Sequence, residues 1–374
     1  MNPRRGSAVA GRQVGPRIQT LAGGEVAVSW VDRARDPAGD IVVSLSTDAG
    51  RSFSPPVRVN DDSGAAGQEY QDMTALPGGG VAIVWLDERE ADPGSPNEKQ
   101  VYFTTSADCR VFEPNEAVTS TPGGVCTCCR PGIAAGADGS LHVVYRDRDG
   151  ESLVLRVASR RPGAARFEPA VPLSLRGWRY PACPTDAPSI VAGPGDRVRV
   201  AWMDASGGRA TLWLASSADG GRSFAPAEPI EGQIDMAPIA MAPDLLASAP
   251  VPASAPDPGA CCLGSAHPGR PVLARHSRDG LAVVFEDDLG RVWARVIDGP
   301  VPGRLELAGG DDLTARSPHL AAAAEGFHAF WIEERWLPGD PGAAGQMSSS
   351  LHDARLMLLD GRLTMMPPRT GLLE

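Results

Sequence analysis

The chain has 374 residues and a formal net charge of −11, with 46 acidic against 35 basic side chains. That balance argues against nucleic acid or an anionic membrane surface as a partner, because both need a basic face. Its 43 glycines and 35 prolines follow no Gly-X-Y period, which excludes collagen. No apolar run reaches the roughly 18 residues that would suggest a membrane span.

Lys99 is the single lysine; every other basic residue is arginine. The start, MNPRRGSAVAGRQVG, carries no apolar signal core. As given, it reads as cytoplasmic, or as exported and trimmed of a leader. One phrase then recurs along the chain: alternating apolar residues, an aromatic, any residue, an acid. Its aromatics are Trp30, Trp85, Tyr145, Trp202, Phe285 and Trp331.

The first unit spans about 15–61. It runs from GPRI, with Arg17, through VAVSWVD ending at Asp32, then IVVSLS and PPVRVN. Between its third and fourth strands lies S-x-D-x-G-x-x-F, built by Ser46, Asp48, Gly50 and Phe53. The second unit, about 68–121, has Asp72 in DMTAL, then VAIVWLD and VYFTTS. Its equivalent turn, Ser106 to Arg110, is degenerate, and Cys109 there is expected to be a bystander at the rim. The third unit, about 126–176, opens on Cys126, Cys128, Cys129 and Arg130 in CTCCRPGI.

The fourth unit, about 183–232, opens on Cys183 and Asp186 in CPTDAPSI. It repeats the S-x-D-x-G-x-x-F turn with Ser217, Asp219, Gly221 and Phe224. An Ala- and Pro-rich insertion follows at 234–263 and ends at Cys261 and Cys262. It reads either as a surface excursion or as a lid. The fifth unit, about 264–311, has His267 and Arg270 in HPGRPVL; the sixth, about 315–368, has Arg316 in ARSPHL.

Period-two alternation bounded by Gly, Asp and Pro is the signal of strands and hairpins. Four strands repeated six times predict an all-β protein, a six-bladed β-propeller of four-stranded antiparallel blades in one domain. A pair of β-sandwiches is the alternative, but it offers no reason to repeat one phrase six times.

The two S-x-D-x-G-x-x-F turns resemble the Asp-box, or BNR repeat, of the sialidase (neuraminidase) superfamily. The C-x-C-C and C-P-x-x-x-P segments are similar to those of bacterial sialidase-like proteins. The resemblance implies an exo-sialidase-type glycoside hydrolase acting on an acidic sugar. In that family arginines from several blades hold the substrate carboxylate, a tyrosine backed by glutamate is the nucleophile, and an aspartate is the acid. Arg17, Asp72, Arg130, Asp186, Arg270 and Arg316 lie where chains lead into innermost strands, so they are the expected ligand-binding set. Solvated arginine is the plainer reading of the same positions. The sequence departs from the family at the nucleophile. Its tyrosines are Tyr70, Tyr102, Tyr145 and Tyr180, none in the last two units. Gln19 also follows Ile18 where the family has proline. Catalytic residues are therefore left unassigned.

Six cysteines precede the innermost strands of three successive units, so they are expected to meet near the axis. Thiolates at that spacing can ligate a soft metal, Cu(I) or Zn(II), with His267 and His319 as further donors. Met73, Met236 and Met241 lean toward copper. The same cysteines can instead form disulfides between loops, and sequence does not choose among the pairings. The expected partner is a small molecule, a glycan or a metal ion. A binding module is the first reading, a hydrolase the second and a protein-interaction scaffold the third.

Overall fold

The computed structural model describes residues 4–9, 13–64, 66–92, 98–173, 178–179, 186–204, 211–230, 269–276, 280–287, 289–298, 303–309, 313–323, 325–337, 346–359 and 362–366. Their strands form six sheets, each in simple sequence order, so neighbours along the chain are neighbours in space. The first sheet is β1 (Arg17–Thr20), β2 (Val26–Asp32), β3 (Asp40–Ser46) and β4 (Val57–Arg58). The second is β5 (Gln68–Ala75), β6 (Val81–Asp87), β7 (Gln100–Ser106) and β8 (Glu116–Ala117). The third is β9 (Gly132–Ala135), β10 (Leu141–Asp149), β11 (Ser152–Arg160) and β12 (Val171–Pro172). A short extra strand, β13 (Trp178–Arg179), also pairs with β11. Nothing in the repeat phrase announces it.

The fourth sheet is β14 (Ser189–Ala192), β15 (Val198–Asp204), β16 (Thr211–Ser217) and β17 (Glu228–Pro229). The fifth is β18 (Gly269–His276), β19 (Gly280–Glu286), β20 (Val292–Val296) and β21 (Leu305–Ala308). The sixth is β22 (Thr314–Ala322), β23 (Phe327–Leu337), β24 (Gln346–Leu359) and β25 (Arg362–Met366). The first three sheets belong to one compact unit and the last two to another. No helix among the described residues is long and apolar enough to cross a membrane. The insertion at 234–263 lies outside the described residues.

The repeated phrase has a physical cause. Residues two apart on a strand share a face, so the aromatic and the acid stand side by side. Trp85 Nε1 donates to Asp87 Oδ2 at 2.7 Å, and Trp331 Nε1 to Glu333 Oε1 at 2.9 Å. In the fifth sheet the aromatic is Phe285, which has no donor. There the indole comes from its cross-strand partner Trp293, 2.9 Å from Asp287 Oδ2. The acid also ends the strand, because its other oxygen accepts the next turn's amides. Arg89 N bonds Asp87 Oδ1 at 2.9 Å, and Leu289 N bonds Asp287 Oδ1 at 2.9 Å. The pattern is not uniform: Trp30 and Trp202 keep buried indole N–H groups with no such partner among the described residues.

Side chains of the second and third strands fill the cores. Trp85, Phe103, Phe285 and Phe327 are each under 2 % exposed. The hairpin tip between the first and second strands lies on the third strand's backbone, which leaves no room for a side chain. A Cβ on Gly80 would come within 2.0 Å of Ser106 O, and one on Gly326 within 2.1 Å of Leu356 O.

Three innermost strands are irregular at equivalent places. Register shifts fall between Glu69 and Asp72 in β5, Gly269 and Val272 in β18, and Arg316 and His319 in β22. Tyr70 and Ser317 adopt positive φ there, +58° and +55°. Bulges of this kind bend a strand and re-aim its side chains.

Candidate functional site

A charged centre is built from the innermost strands of the first three sheets. Arg17 begins β1, Asp72 follows the β5 bulge, and Arg130 stands just before β9. Asp72 Oδ1 is 2.8 Å from an Arg130 Nη and 3.3 Å from Arg17 Nε. Its Oδ2 accepts the Ile133 amide at 3.1 Å. Gln71, inside the bulge, donates to Gly15 O at 3.1 Å and to Ser29 O of β2 at 3.4 Å, and so ties β5 to the first sheet. The Arg130 amide donates to buried Gln13 Oε1 at 3.0 Å.

These contacts leave two guanidiniums around one carboxylate. Burial, and then Arg130, push the Arg17 pKa down to about 9, and Asp72 offsets this only in part. A guanidinium seldom loses its proton. The direction therefore marks Arg17 as a buried positive charge short of anionic partners.

Asp186 is buried three residues ahead of β14. In the fifth sheet, Arg270 lies at the bulge of β18. Arg316 is committed within its own sheet, with Nε 3.0 Å from Glu334 Oε2. It is therefore an ion-paired arginine of β22 rather than a simple loop cation. Its partner was not legible, because the bulge shifts the register at that point.

The cysteine-bearing turn precedes Arg130. Cys126, Cys128 and Cys129 are all buried, and their sulfurs lie within 4.8 Å of one another. Cys126 Sγ and Cys128 Sγ are 3.8 Å apart. Gly123 and Gly124, both at φ +77°, lead into the turn. Val125 N bonds Lys99 O at 2.8 Å and Cys126 N bonds Arg146 O at 3.0 Å, which fixes the near end. The bond from Arg130 N to Gln13 fixes the far end. Cys183, Cys261, Cys262 and His267 lie outside the described residues, as do Met236 and Met241.

Cys109, expected as a bystander at the rim, is a buried packing residue. Its side chain is 2 % exposed and packs in the core beside Leu21, Met73 and Val81. Burial raises its thiol pKa to about 11. The positive φ of +57° at Cys109 turns it inward.

The two S-x-D-x-G-x-x-F turns are closed by their own side chains. Ser46 Oγ accepts the Gly50 amide at 2.8 Å, while Asp48 Oδ1 accepts the Ser52 amide at 2.8 Å. Ser217 Oγ with Gly221 N (2.9 Å) and Asp219 Oδ1 with Ser223 N (3.0 Å) repeat the arrangement. The hydroxyls of Ser52 and Ser223, followed by those amides, hold both aspartates well below the usual carboxylate range. Gly50 and Gly221 take positive φ, +85° and +80°. Phe53 packs on Trp30 and Val42, and Phe224 is half-buried. The side chains of Ser46, Asp48, Ser217 and Asp219 are spent on the turns themselves.

The single lysine is a buried structural cation. Lys99 Nζ is 3.0 Å from Glu69 Oε2 and 3.1 Å from Glu88 Oε1, and 5.4 Å from the Tyr70 ring centroid. Although burial opposes it, Glu69 and Glu88 raise the Lys99 pKa.

No protein-family model and no curated protein matches the sequence. The fold does match solved structures. An α-L-arabinanase of Penicillium chrysogenum complexed with arabinobiose aligns with TM-score 0.54 at 14% identity, over 92% of this chain and 94% of that one. The α-L-arabinofuranosidase Arb93A of Fusarium graminearum, as an E242A mutant with an iminosugar inhibitor, gives 0.56 at 14%, over 91% and 92%. A leech intramolecular trans-sialidase complexed with 2,7-anhydro-Neu5Ac gives 0.52 at 11%, over 91% and 68%. At such identities the likeness establishes the fold alone. It is a β-propeller of six four-stranded antiparallel sheets.

Proposed function

We propose that the protein is a glycan-binding propeller whose ligand carries a carboxylate, gripped by Arg17 and Arg130. The observation behind this reading is the charge imbalance around Asp72, two guanidiniums to one carboxylate. A partly buried excess positive charge is costly, and an incoming carboxylate offsets it through charge-assisted hydrogen bonds. Proteins of similar fold hold arabinobiose and 2,7-anhydro-Neu5Ac, the second of which is acidic. Hydrolysis of a sialoside is the stronger form of the same reading.

Calorimetric titration of the full chain with N-acetylneuraminic acid, glucuronic acid and neutral arabinobiose tests the proposal. An acidic sugar should bind, arabinobiose should not, and Arg17→Ala or Arg130→Ala should weaken binding about tenfold or more. Equal binding of acidic and neutral sugars, or arginine variants that bind like the parent, would overturn it. Turnover of a fluorogenic sialoside by the same sample would extend binding to catalysis.

A further inference from the structure

We propose that Cys126, Cys128 and Cys129 form the binding site of one thiophilic d10 metal ion, Cu(I) or Zn(II). The site lies beyond the acidic-sugar reading and does not depend on it. Sulfurs 2.3 Å from a tetrahedral zinc stand about 3.8 Å apart, and about 4.0 Å apart at that bond length in a trigonal plane. The Cys126–Cys128 separation is 3.8 Å, and all three sulfurs fall within 4.8 Å. One ion can therefore touch all three after shifts of under an ångström.

The turn is built to hold such an arrangement. Its glycines allow the tight approach: a Cβ on Gly124 would lie 2.9 Å from both N and O of Lys99. Its backbone amides anchor it to the carbonyls of Lys99 and Arg146 at one end and to the Gln13 side chain at the other. The donor set selects the metal class. Clustered thiolates favour Cu(I) and Zn(II) over Mg(II) or Ca(II), which take oxygen ligands. Three sulfurs complete a trigonal Cu(I) site, whereas structural zinc takes four ligands, so a zinc ion would recruit one more donor.

The test uses the full-length chain, reduced and kept free of oxygen, as a Cys109→Ser variant so that the core thiol is silent. It is titrated with Cu(I) and, separately, with Zn(II) against a chromogenic chelator. Uptake of one equivalent of either ion is expected, with thiolate-to-metal charge-transfer absorption. Cys126→Ser, Cys128→Ser and Cys129→Ser should each weaken it by at least the roughly hundredfold that loss of an outer-shell partner can reach. Should a serine variant fail to fold, the charge-transfer band decides: its rise to saturation at one equivalent supports the site. No uptake of either ion by the folded, reduced chain overturns the proposal, as does uptake that is unchanged in all three serine variants.

Discussion

Replacing Asp72 by asparagine preserves its shape and removes the one negative charge between Arg17 and Arg130. In the parent its oxygens take Arg130 at 2.8 Å, Arg17 at 3.3 Å and the Ile133 amide at 3.1 Å. Asparagine keeps one acceptor and turns an NH2 toward groups that only donate. At an effective dielectric near 20, a guanidinium–carboxylate pair with charge centres about 4 Å apart is worth about 4 kcal/mol. The carboxylate's own desolvation is relieved in the variant, and the side chains keep 12–18 % of their exposure. The net loss of stability should therefore be about 2–3 kcal/mol, just under the range for breaking a fully buried pair. A ligand carboxylate should recover part of it, because nothing then competes for the two arginines. Urea unfolding followed by tryptophan fluorescence measures the loss, and melting with and without N-acetylneuraminic acid measures the recovery. A variant as stable as its parent, with no larger ligand-induced shift, would refute the charge argument.

His142 is pushed down to about 4, chiefly by burial. The unfolded chain thus binds a proton below about 6.5 that the fold refuses, and stability should fall as pH drops from 6.5 to 4. His142→Gln should flatten that slope in urea midpoints at pH 7 and 4.5. Gly80→Ala should cost about 2–5 kcal/mol from left-handed strain plus the clash with Ser106 O. Gly79→Ala, at φ +93° with open space around its Cβ, should cost only about 1–2 kcal/mol, and the two melting curves side by side test the difference.

The sheets were readable because their punctuation is chemical. Trp85 and Asp87 show one reason for the pairing: the indole N–H donates to the carboxylate two residues along the same face. The turn at Ser46 to Phe53 was readable for the same reason, its polar groups being consumed locally. The charged centre was readable only as positions. Arg17, Asp72 and Arg130 stood at the right places in the repeat, but their mutual contacts depend on a bulge in β5. Nothing in the alternation of Gln68 to Ala75 marks that bulge, because Tyr70 is not a residue that favours positive φ. The ion pair of Arg316 with Glu334 was equally invisible, because the two lie diagonally across β22 and β23 beside a register shift. Convergence of Cys126, Cys128 and Cys129 followed from their closeness in sequence. The inward turn at Cys109 followed from nothing visible in the residues around it.

Lys99 gives the protein a built-in reporter. The only side-chain amine in the chain sits 7 % exposed between two glutamates, on the residue whose carbonyl anchors the cysteine turn. Amine-directed labels and cross-linkers therefore find no lysine on the folded surface. A lysine-specific protease has a single bond to cut, and that bond becomes available only when the second sheet opens. One cleavage into two fragments, timed on a gel, would count openings of the sheet beside the cysteine turn without any engineered probe.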